Sequence, residues 1–273
     1  MNVESKLPFT DVARNRDFID GLHLPSHEQV HVGRMFDAPL PPIVRDTPQD
    51  QNVPTADPRQ PSGFVDNGSL VTFLAGVDRQ SQADVLNSML LAQLAANKKF
   101  DREKDTVAWY AFYHDVLENL GWVVQQFAFA KYDVAGSTAT VDKVVLDLLA
   151  AVATENGVAV AKSAIQALKA LSSDDHRFTI FKHSSHSAQN GNFQVANCSS
   201  TGGVLKMSLG AFYFSSTQED TQVLFFGWSS SNTNIYQSGQ SIVLDRDVYA
   251  QVRQNVTAKL GEHAKTFVDD LDI

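Results

Sequence analysis

Two stretches of this 273-residue chain hold residue types that could do chemistry, and they point to different reactions. The first is His27-Glu28-Gln29-Val30-His31, a His-Glu-x-x-His pattern. On a helix that spacing puts two imidazoles one turn apart as zinc ligands, with the carboxylate between them as general base. Asp37 stands where a third ligand could follow, and His23 extends the four-residue recurrence upstream. The surroundings oppose a metal centre. Pro25 occupies the turn before the pattern, and Pro39, Pro41 and Pro42 close the other end. A helix confined between those prolines is short and has no sheet before it to rest on. The expectation for His27, Glu28 and His31 is therefore a polar turn or short helix, with zinc as the minority reading.

The second stretch is QVANCSSTGGVLKM, which carries Cys198, the single cysteine of the chain. One thiol cannot form an intramolecular disulfide. Cys198 has three readings: a small buried hydrophobe, a thiol bearing a thioester-linked acyl chain above a hydrophobic cavity, or a nucleophile. For the last, His183 or His186 of KHSSH, about a dozen residues upstream, would serve as base. Gly202-Gly203 lacks the Lys-Ser/Thr and following helix of a phosphate loop. The acidic pairs Asp174-Asp175, Glu219-Asp220 and Asp269-Asp270 read as solvated turn or helix-end charges.

The elements that must position these residues follow from composition and periodicity. All nine prolines lie between Pro8 and Pro61, so residues 1–65 read as a Pro-rich extended arm whose apolar pieces dock. Residues 66–273 read as a single α+β domain, with a helical part over 66–175, a sheet-rich part over 176–244 and a terminal helix over 245–271. Apolar spacings of three and four predict helix across 69–97 and again from Asp105 to Gly121. WVVQQFAFAKYDV alternates and predicts a strand. Residues 141–171 predict two helices hinged at Glu155-Asn156-Gly157, the most apolar part of the chain. RFTIFKHSS, NFQVANCSS, GVLKMSLGAFYFSS, TQVLFFGWSSS and NIYQSGQSIVL predict an antiparallel meander of about five to six strands, with the C-terminal helix packed on it.

Composition narrows the partners. Hydrophobic residues make up 43% and charged residues 19%, with a net charge of -9. Without clustered Lys and Arg, nucleic acid is not an expected partner. MNVESKLPFTDVARNRDF has no apolar signal region, and no uncharged apolar run reaches about 20 residues. Cytoplasmic synthesis without a cleaved signal peptide is the expectation. Later export and membrane association are both compatible with it. No cofactor is expected.

A helical first half, an antiparallel sheet with one cysteine near its middle and a closing helix together resemble the Evf family of Erwinia virulence factors. WVVQQFAFAKY, the helical pair after it and VANCSSTGG with its flanking strands carry the likeness, over roughly residues 65–270. The resemblance implies a palmitoyl thioester on Cys198, with its chain in a cavity lined by the helical pair, LGAFYF and VLFFGW. It also implies a virulence role in host colonisation or at host membranes, with a fatty acyl chain or lipid as partner. Two other readings stay beside it. One is an acyl-transfer or thioesterase enzyme using Cys198 with His183 or His186. The other is a membrane-active, pore-forming toxin using the 141–171 hairpin.

Overall fold

The computed structural model describes residues 11–25, 53–133, 139–185, 189–216, 227–228, 233–261 and 263–271. The fold is α+β, with one large sheet covered by helices on both faces. Helix α1 (Val12–Gly21) precedes the hairpin β1 (Ser62–Asp66) and β2 (Ser69–Phe73). Then come α2 (Arg79–Lys99), α3 (Thr106–Asn119) and three two-residue strands, β3 (Trp122–Val123), β4 (Ala130–Lys131) and β5 (Ala139–Thr140). Helices α4 (Val141–Val152), α5 (Glu155–Ala170) and α6 (His176–Ser185) follow. The long strands are β6 (Asn190–Thr201), β7 (Val204–Ser216) and β9 (Thr233–Leu244), with β8 (Gly227–Trp228) between the last two. Helices α7 (Arg246–Leu260) and α8 (His263–Phe267) and strand β10 (Val268–Leu271) close the chain.

The main sheet runs β10-β1-β2-β6-β7-β9-β3, with β4 also on β9, and β5 pairs β8 separately. The predicted meander is its centre, β6-β7-β9, all antiparallel. Gly202 and Gly203, at φ 58° and 82°, make the two-residue turn between β6 and β7. Such a turn needs positive φ at both central residues, which glycine adopts without strain. The sheet is not a meander throughout. β2 joins β6 in parallel, Phe73 beside Cys198, and β1 and β10 extend that edge.

Four elements differ from the sequence expectation, each for a local reason. Residues 69–73 are strand β2 rather than the start of a helix. Asn67, at φ 53°, and Gly68 turn the chain back on β1, and every residue of β2 is buried. The helix begins only at Asp78, whose carboxylate accepts from Ser81 N at 2.9 Å. RFTIFKHSS is helix α6 rather than a strand: Asp175 accepts from Arg177 N at 2.9 Å, and Ile180, Phe181, Ser184 and Ser185 turn inward at helical spacing. The terminal helix stops at Gly261, φ 46°, instead of running to 271, and Val268–Leu271 return as the edge strand on β1. WVVQQFAFAKYDV forms the separate short strands β3 and β4 rather than one continuous strand. The range 1–65 is also not extended throughout, since it holds α1 and most of β1.

Side chains alternate across the sheet, which gives two cores. On one face Phe64, Val71, Phe73, Ala196, Cys198, Met207 and Leu209 meet α2, α3 and α7. On the other, Val65, Leu70, Phe193, Val195, Phe212, Phe214 and Ile235 meet α4, α5 and α6. Helix α2 is buried all round from Ser81 to Ala96, being enclosed by the sheet, α3 and α7.

Candidate functional site

Cys198 sits in β6, three residues before its end, with Phe73 and Met207 as register neighbours on either side. Its exposure is 0% and it is a free thiol. Burial alone pushes the thiol well above its ordinary value, so at neutral pH it is protonated and unreactive as a nucleophile. Nearby on the same side of the sheet lie Tyr113 of α3 and Asp66 of β1, both fully buried. Tyr113 interacts electrostatically with Asp66, Tyr110 and Cys198. All three groups are held in their neutral forms, which suits storage inside a core better than acid–base work.

Among the described residues, no histidine perturbs the thiol. His183 lies on α6, whose Ile180 and Phe181 belong to the core on the opposite face of the sheet from Cys198. It lines a cleft of about 450 Å³ with Arg102, Asn67 and Lys99. His186 lies outside the described residues, as do His27, Glu28 and His31. No group of three or more metal-ligating side chains occurs among the described residues.

The expected acyl cavity is also divided by the sheet. The helical pair α4–α5 covers the face that carries Phe212 and Phe214, whereas Cys198 points to the other. Most of VLFFGW lies outside the described residues.

A polar network missed by sequence reasoning crosses the core on the Cys198 side of the sheet, around Gln194 of β6. Tyr110 Oη lies 3.2 Å from both the Phe193 and Phe212 carbonyls and accepts from Gln194 Nε2 at 2.7 Å. Ser69 Oγ donates to Gln194 Oε1 at 2.9 Å. Arg102 donates to the Ser184 and Asn192 carbonyls and lies over the Trp109 ring. No spacing rule connects Ser69, Arg102, Tyr110 and Gln194; the parallel β2–β6 pairing sets Ser69 beside Gln194, and the packing of α3 on the sheet adds Tyr110.

The hairpin α4–α5 is the other candidate element. Val144, Val145 and Leu149 of α4 and Ala161, Ala164, Ile165 and Leu168 of α5 face the sheet. Thr154 caps α5 by accepting from Gly157 N at 3.2 Å, so the break falls at Ala153-Thr154, just before the predicted hinge. The sheet beneath is smooth. Gly210 and Gly239 face each other on β7 and β9, and Leu148 lies over both. Gly157 lies directly against the Asn197 side chain.

The two helical layers are anchored differently. Ion pairs on the α2–α7 side join separate elements. Arg253 holds Asp84 through two 2.8 Å bonds, and Arg246 reaches Asp78 and Ser81. Helix α1 is bound to α7 by Arg16 to the Gln251 carbonyl and Lys259 to the Asp20 carbonyl. Among the described residues, two ion pairs join residues of the hairpin to each other, Lys143 to Asp147 at 2.6 Å and Lys169 to Asp142 at 3.1 Å. Ser208 Oγ to the Val152 carbonyl, at 2.8 Å, ties it to the central strands, and Tyr132 donates to Asp147 at 2.8 Å.

No helix among the described residues is long and apolar enough to cross a membrane. At 1.5 Å per residue, α4 spans about 18 Å and α5 about 24 Å, against a hydrocarbon thickness of about 30 Å.

No protein-family model matches the chain, and no curated protein matches it. Two solved structures are similar to it at low identity. One is a delta-endotoxin, with 14% identity and a TM-score of 0.38, over 77% of this chain and 96% of that one. The other is the Evf virulence factor, with 12% identity and a TM-score of 0.33, over 95% of this chain and 91% of that one.

Proposed function

We propose that the protein is a membrane-directed effector of the virulence or toxin class, in which the α4–α5 hairpin leaves the sheet and lies on a lipid surface. The observation that supports this is the unequal anchoring of the two helical layers. Among the described residues the hairpin's two ion pairs are internal, and it rests on the sheet mainly through apolar contacts. Each fully buried Val, Leu or Ile in it is worth about 1.5–3 kcal/mol against water. Hydrocarbon is as apolar as the core, so moving those side chains from sheet to bilayer costs little. What opposes release is a small set of polar ties together with the exposure of the apolar sheet face beneath, Phe193, Val195, Phe212 and Phe214.

The hairpin is too short to span, so its place is the interface, apolar face down. Residues 141–171 hold three acids (Asp142, Asp147, Glu155) and three bases (Lys143, Lys162, Lys169), a net charge of zero. Binding should then depend little on anionic lipid or salt.

Vesicle flotation of a Leu148→Cys/Gly239→Cys double variant tests the reading. The reduced protein should float with vesicles and the oxidised, cross-linked protein should not. Equal flotation of the two forms would remove hairpin release from the reading.

A palmitoyl-type thioester on Cys198 is the finer form of this proposal. Its support is chemical: the chain has one thiol, and its neighbours are apolar, as the chain of an acyl thioester requires. Acyl transfer or thioester hydrolysis by Cys198 with His183 lacks comparable support, because the thiol is unactivated and the imidazole lines the Arg102 cleft rather than the surroundings of the thiol.

A further inference from the structure

Asp66 ends strand β1 with an exposure of 0%, and neither of its carboxylate oxygens has a hydrogen-bond partner among the described residues. Among the described residues no cation forms an ion pair with it. Across from it on β2 stands Ser69, committed to Gln194, and on β10 stands Val268. From α2, Gln93 donates to the Asp66 backbone carbonyl at 3.1 Å and accepts from Gly68 N at 2.9 Å. From α3 comes the Tyr113 hydroxyl, also buried with no partner. Arg102 acts on Tyr113 and Tyr110 and is bound to main-chain carbonyls. Asn67 N donates to the Phe267 carbonyl of α8 at 2.7 Å. His176 and Asp269, 3.6 Å apart, involve α6 and β10, and Asp269 is the register partner of Val65, whose side chain belongs to the opposite core.

A bare carboxylate in such a site is costly, so the folded protein keeps Asp66 as the neutral acid. Burial is the single cause and moves the carboxyl well above its usual range. The folded state therefore holds a proton that the unfolded state releases above about pH 4. Stability falls as pH rises from there toward the folded value. The nearest way out is the sheet edge, because β10 is four residues long and pairs with β1 alone. Short edge strands open before central ones.

We infer that Asp66 is an alkali-sensitive latch for the edge of the sheet: neutral, it lies inside the core, and ionised, it turns to water and releases β10 with α8 from β1. The device stands on the other core from the α4–α5 hairpin and does not depend on membrane binding.

Hydrogen exchange of the 268–271 amides in the full chain, expressed as protection factors from pH 5 to 8, tests this. One linked proton lowers protection by up to about tenfold per pH unit. The wild type should show that slope and Asp66→Asn should be flat. Parallel slopes, or none in the wild type, overturn the latch. Should Asp66→Asn fail to fold, the carboxyl-carbon shift of Asp66 in the unmodified chain reads the same property. An acid form persisting above pH 6 supports the latch, and titration near pH 4 overturns it.

Discussion

Leu148 lies over Gly239 so closely that a Cβ on the glycine would stand 2.8 Å from the leucine Cδ1. Helix α4 can reach the sheet there because β9 carries no side chain at that point.

Gly239→Ala should therefore loosen the hairpin without disturbing the α2–α7 layer. Overpacking of this kind costs about 1–3 kcal/mol. Thermal denaturation should show the loss, and vesicle flotation should rise. Lost stability with unchanged flotation would separate hairpin docking from membrane binding.

Cys198 should react with a thiol reagent only as fast as the protein opens, since burial both covers the thiol and holds it neutral. Labelling rates with and without mild denaturant check this. Intact mass before and after neutral hydroxylamine checks the acyl group. Loss of a mass equal to a sixteen-carbon acyl chain supports it, and an unchanged mass sinks it.

Arg253→Leu should destabilise by about 2–3 kcal/mol, less than the 3–5 for a fully buried pair, because the arginine side chain is 31% exposed while that of Asp84 is 3% exposed. Urea denaturation measures it. Adding Asp84→Leu should recover part of the loss by removing the stranded carboxylate.

Acid should act on the hairpin as alkali acts on Asp66. Burial opposes ionisation of Asp147 and Asp142, but hydrogen bonds from Lys143 and Tyr132, and from Thr140 and Lys169, outweigh it and hold both carboxyls below the usual range. For lowered carboxyls the stabilisation is complete above the unfolded value of about 4 and is lost as pH falls through the folded values. Proteolysis at the 153–154 break should quicken below about pH 4. An Asp142→Asn/Asp147→Asn variant should be cut at the quicker rate already at neutral pH, with little further change in acid.

The class of the fold and the β6–β7 and α4–α5 pairs were legible in sequence because each rests on local signals: Gly202-Gly203 for the turn, and apolar spacing for the helices. The β1–β2 hairpin carried such a signal as well, Asn67-Gly68 between apolar runs. The signal is ambiguous because the apolar residues after it, Leu70, Phe73 and Leu74, also fit helical spacing. The cap at Asp175 was likewise available for α6. The faces of the sheet were not legible. Cys198 alternates with Phe193 and Val195 along β6, but which of the two faces the α4–α5 pair covers is a tertiary choice that no neighbouring residues encode, as is the parallel β2–β6 register.

That register also governs the order of assembly. Thr72 and Asn197, hydrogen-bonded across β2 and β6, are 125 residues apart, and Arg16 finds its acceptor 235 residues away. Joining segments so distant costs loop entropy before any contact repays it, and folds rich in such pairings form slowly. During synthesis the amino-terminal half has no sheet to complete until the residues beyond 190 have appeared. The new chain therefore spends most of its making open, with Phe73 and Tyr113 made long before the Cys198 they will enclose.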